Sequence, residues 1–139
     1  MEDLTTVATA DEVGAVLIEP TRICETHLLM GRADHHATKM PTEVDMDRQT
    51  LHLEGRWRSA KTAPWTAFMW RSDVGWGAVH ALPTAHDTAA GGVELTMERP
   101  LAKLFDHIDP AVATELAAAR QVLENAVQGA VVRARLHLH

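Results

Sequence analysis

The chain has 139 residues, with 46% hydrophobic and 23% charged side chains and a formal net charge of −6. That length suits one domain spanning residues 1–139 and able to bury about two thirds of its unfolded surface. The acidic balance argues against a nucleic-acid surface, and no window approaches the roughly 18 consecutive apolar residues of a membrane span.

The opening "MEDLTTVATADEV" has neither the basic n-region nor the apolar h-region of a signal peptide. Cys24 is alone, which excludes an internal disulfide and fits a reducing cytoplasm. A solitary cysteine is a candidate nucleophile, but its simpler role is that of a small buried hydrophobe. The basic run Arg56, Arg58, Lys61 and Arg71 reads as solvated faces of strands.

Taken in chain order, the first predicted element is a short strand near Leu4 to Val7. Thr9, three residues before Glu12, then has the spacing of a capping box. Val13, Val16 and Leu17 continue it as a helix that Pro20 ends. "PTRICETHLLMG" suggests a second short helix stopped near Gly31, and "RADHHATKMP" a polar loop.

From about residue 42 the apolar period shortens to two. "TEVDM" is a weak strand, and "TLHLEGRWR" a clear one, with Leu51, Leu53, Gly55 and Trp57 alternating against Thr50, His52, Glu54, Arg56 and Arg58. "PWTAFMWRSDVGWGAVHALP" supplies two more strands separated by a turn at "RSDVG". Phe68 and Trp70 then face inward on one strand, and Trp76, Ala78, His80 and Leu82 on the next, with Trp65 outside or at the rim. After "TAHDTAAGG", "GVELTMER" places Val93, Leu95 and Met97 on one face.

Asp109 as N-cap and Pro110 at the first helical position open the closing helix. Val112, Leu116, Ala119, Leu123, Val127 and Ala130 follow at spacings of three and four. Extended to His137, this helix is roughly 42 Å long. The order of elements predicts an α+β domain: a curved antiparallel sheet wrapped around a long C-terminal helix, with short helices after the first strand.

This layout resembles the helix-grip fold of the START-like superfamily, also called SRPBCC or polyketide cyclase/dehydrase-like. The segments that carry the likeness are "TTVATADEVGAVLIEPTRI", "WTAFMWRSDVGWGAVHALP…GGVELTMERP" and "DPAVATELAAARQVLENAV". The chain departs from the pattern at Gly14, where an aromatic is usual, and lacks a tryptophan after the Pro-Thr-Arg turn. A competing cone-shaped α+β fold puts its long helix first. The resemblance implies a cavity between sheet and C-terminal helix holding an apolar or aromatic small molecule, a lipid among the options, with no cofactor. Some members of the superfamily catalyse cyclisation, dehydration or hydrolysis in that cavity.

The side chains expected to line it are Trp57, Phe68, Trp70, Trp76, His80, Met97 and Leu116. Each aromatic serves equally as core packing, through its large buried area. His80, alone among apolar neighbours, is the candidate acid–base of an enzymatic alternative, or a satisfied core histidine. "DHH" at Asp34 to His36, with His27, has metal donors but no recognised ligand spacing, so no metal is expected. A third reading is a pocketless interaction protein, filled by its tryptophans and assembling through a helix or sheet edge, with a homodimer as one such assembly.

Overall fold

The computed structural model describes residues 14–17, 19, 21–37 and 42–138. Its strands are β1 (Arg22–Met30), β2 (Leu51–Trp57), β3 (Thr66–Ser72), β4 (Trp76–Asp87), β5 (Gly91–Glu98) and β6 (Val131–Leu138), and its α-helix is α1 (Glu115–Gln128). The chain is α+β, with antiparallel strands and a helix that follows five of them. Among the described residues no helix is long and apolar enough to cross a membrane.

The strands pair as three two-stranded ribbons, β1–β4, β2–β3 and β5–β6, where the sequence suggested one continuous sheet. A continuous sheet would bring β3 beside β4. Instead residues 73–75 carry the chain from one ribbon to the other. Arg32, just past β1, holds that crossing through the Asp73 carbonyl and, at 3.4 Å, the Asp73 carboxylate. The β1–β4 register runs from Met30↔Trp76 to Glu25↔Ala81 and then jumps to Ile23↔His86. Residues 82–85 bow out between these pairs. Pro83 lies in the bow, where a residue with no N–H does not interrupt a ladder.

Several expected elements are corrected. The first strand and the capping box at Thr9 lie outside the described residues. Residues 14–17, expected in the first helix, have no regular structure, and Val16 and Leu17 are fully open to solvent. A short helix needs a packed apolar face, and this segment has none. The second expected helix is strand β1, because Thr26, Leu28 and Met30 turn inward at a period of two. Cys24, expected to be buried, sits exposed at the register break of that strand.

The closing helix is half its expected length, 14 residues. Asp109 caps only a turn, its carboxylate accepting from Ala111 N at 2.9 Å. The helix itself starts after Thr114, whose hydroxyl accepts from Ala117 N. It stops at Gly129, where an added Cβ would stand 2.5 Å from the Asn125 carbonyl oxygen. Beyond it the β-branched pair Val131 and Val132 starts β6, with Val132, Ala134 and Leu136 half-buried against exposed Arg133, Arg135 and His137.

Helix α1 buries Ala118, Ala119, Val122, Leu123, Ala126 and Val127. The larger of these side chains contribute about 1.5–3 kcal/mol each. Small alanines let the helix lie close to the ribbons. Ala118, Ala119, Val122 and Leu123 form one core cluster with Leu51 and Trp70, while Val127 joins Leu28 and Ala130 in a second.

Candidate functional site

The inner faces of β2 and β3 are those the alternation predicts. Leu51 and Trp70 are buried against α1, with Leu53, Phe68 and Trp76 packed around them. Phe68 and Trp70 rings are 4.3 Å apart, and Phe105 closes on both at 6.5 and 6.2 Å. Phe68 extends over Gly55, its cross-strand partner, so closely that a Cβ there would fall 2.9 Å from the ring. Trp76 bridges the two core clusters and lies under the Arg120 guanidinium, 5.2 Å from the ring centre.

The other predicted site residues are scattered. Trp57 is half-buried at the last pair of the β2–β3 register, opposite Thr66. Leu116 is 63% exposed on the first turn of α1, and Met97 is 38% exposed on β5, in a separate ribbon. Neither faces inward as expected. For Leu116 the reason is the late helix start, which puts it at the N-terminal end of α1, ahead of the buried stripe that begins at Ala118. For Met97 it is that β5, among the described residues, pairs only with β6.

His80 is half-buried on β4 with Nε2 2.9 Å from the carbonyl oxygen of Val127. That carbonyl belongs to the last turn of α1, where backbone acceptors have no partner within the helix. An N–H donated by Nε2 satisfies it. The side chain thereby fastens the helix to the strand.

The outer face of the β2–β3 ribbon pairs His52 with Arg71, Glu54 with Met69 and Arg56 with Ala67. Over part of it lies the segment 42–50. "TEVDM" is not the expected strand, because side chain–backbone bonds divert it. Asp45 Oδ1 accepts from Asp47 N at 3.0 Å, and Gln49 N reaches the Met46 carbonyl at 3.0 Å. Arg48 takes φ +60, a left-handed turn position. The segment is well anchored: Ala33 bonds both Gln49 and Arg48 through its backbone, Thr50 N bonds the Ser72 carbonyl, and Met46 is buried.

Between this segment and the ribbon is a cleft of about 330 Å³. Its walls are mainly polar and include four acidic residues, Glu43, Asp45, Asp47 and Glu54, and one arginine, Arg71. His52 also lines it, with a side chain only 8% exposed and neither ring nitrogen hydrogen-bonded. Its closest acid, Glu54 Oε2, is 3.9 Å from Nε2, beyond hydrogen-bond reach. A buried polar group left this way costs about 1–3 kcal/mol. An adjoining, largely apolar depression of about 540 Å³ is lined by Glu54, Gly55, Arg56, Ala67, Phe68 and Met69. Glu54 and Met69 border both spaces.

Among the described residues no three His, Cys, Asp or Glu side chains are arranged to hold a metal ion. Of the earlier metal candidates, Asp34 Oδ1 accepts from His36 N at 2.9 Å, and His27 stands 3.7 Å from Glu25.

The histidine in the outer cleft, His52, sits in the sequence as one polar position of an alternating strand. The signal present was an acidic alternation, Glu43, Asp45 and Asp47, ahead of His52 and Glu54. Compared with known proteins, the chain matches no family model, and no curated protein or solved structure matches it.

Proposed function

We propose that this chain is a small-molecule-binding domain whose ligand lies on the outer face of the β2–β3 ribbon. The observation that carries the reading is the pair of adjoining spaces there, one largely apolar and one polar, which share Glu54 and Met69. Binding sites join apolar surface to a few placed polar groups in this way. An apolar ligand body, as the START-like resemblance implies, fits against Ala67 and the half-exposed Met69. The space under α1 supports a ligand less well, because Trp70, Leu51 and Leu123 meet there in one buried cluster. An enzymatic role for His80 has less support for a similar reason, its Nε2 being engaged by Val127.

Titration of the 15N-labelled chain with cyclohexanol, indole and hexylammonium tests the reading. Saturable amide shifts are expected in residues 52–56 and 67–71. Saturable shifts confined to α1 and β4 would move the site back beneath the helix, and no saturable shift with any probe would overturn the proposal.

A further inference from the structure

We infer that the polar half of this site receives an organic ammonium group, so that the ligand is a primary amine with an apolar body; the inference rests on the binding reading above. Two independent observations lead there. Four carboxylates against one guanidinium make the cleft attractive to a cation. His52 adds a buried imidazole with no hydrogen-bond partner for either ring nitrogen.

The kind of cation follows from the geometry. A divalent metal needs several donors converging at about 2.0–2.6 Å, and no such convergence of His, Cys, Asp or Glu exists among the described residues. An ammonium group needs less. Its three N–H donors reach acceptors separately at hydrogen-bond distance and tolerate irregular placement. Glu54, 3.9 Å from the His52 ring, offers a charged acceptor. Asp45 already accepts from the Asp47 backbone, so Glu54 and Asp47 are the carboxylates most available to the ligand.

The order of the two spaces along β2 sets the ligand's orientation. His52 and Glu54 bound the polar end, and Glu54, Gly55 and Arg56 bound the apolar end. An ammonium beside His52 directs its carbon chain toward Ala67 and Met69. Arg56 at the far end disfavours a second cationic group there.

The test compares three probes of equal chain length on the full chain: hexylammonium, hexanol and hexanoate. Hexylammonium should bind at least about tenfold more tightly than either of the others and move the 15N resonances of the His52 ring. A double variant, Asp47→Asn with Glu54→Gln, should remove that preference, so that hexylammonium binds no more tightly than hexanol. If hexanol or hexanoate binds the ribbon as tightly as hexylammonium, the inference falls and the binding reading stands. If none of the three moves the β2–β3 amides, both fall. Displacement of hexylammonium by Mg2+ or Zn2+ at equal concentration would identify a metal site and overturn the ammonium assignment.

Discussion

His80 Nε2 lies 2.9 Å from the carbonyl oxygen of Val127, so the middle of β4 is bonded to the last turn of α1. The two residues are 47 positions apart in sequence. Val127 itself is fully buried, and the bond therefore lies beside a core cluster. Its first consequence is structural.

Replacing His80 with alanine leaves the Val127 carbonyl without its donor and removes a half-buried ring. The expected cost is about 1–3 kcal/mol, seen as a lower urea midpoint with an unchanged slope. Binding of hexylammonium at the outer face should persist under native conditions. An unchanged midpoint would mean that the bond does not hold the helix in solution.

Ala119 and Leu116 give opposite expectations on the same helix. Ala119 has no exposed surface, whereas Leu116 is 63% exposed. Ala119→Leu should destabilise the chain by about 1–3 kcal/mol through overpacking, and Leu116→Ala should stay within about 0.5 kcal/mol. A cavity beneath α1 would reverse the first result, because the added side chain would fill it. Thermal unfolding of the two variants distinguishes these cases.

Arg48 occupies the left-handed region with φ +60 in the segment that covers the outer cleft. Asparagine tolerates this conformation better than arginine. Arg48→Asn should raise stability by up to about 1 kcal/mol, measured by the urea midpoint. A loss of stability instead would mean that the Arg48 side chain contributes more than its backbone strain costs.

Much of the ribbon pattern was legible in the sequence. Alternation identified the inward faces of β2 and β3, and splitting the aromatic run at "RSDVG" separated Phe68 and Trp70 from Trp76 and His80 correctly. Strand β1 is hard to read because its alternation covers only Thr26, Leu28 and Met30 and is broken by the register shift between Ile23 and Glu25, so pairing with β4 decides its period. The closing helix was extended too far because Val127 and Ala130 continue its spacing across Gly129. The alternation in "VVRARLHL" was the competing signal, and pairing with β5 made it prevail. The outer cleft was not legible, because it depends on residues 42–50 folding back over β2. That placement rests on backbone bonds to Ala33 and Ser72 that no local pattern announces.

The pairing scheme also sets an order of assembly. β1 pairs with β4 around the whole of β2–β3, and β5 pairs with β6 around α1. Each outer pair closes a long loop, and that closure costs less chain entropy once the inner unit has already shortened it. The hairpin and the helix are thus suited to form early, and β1 and β6 to join late. When the chain opens, the same nesting favours release of these two outer strands first, while the β2–β3 ribbon that carries the proposed site is still paired.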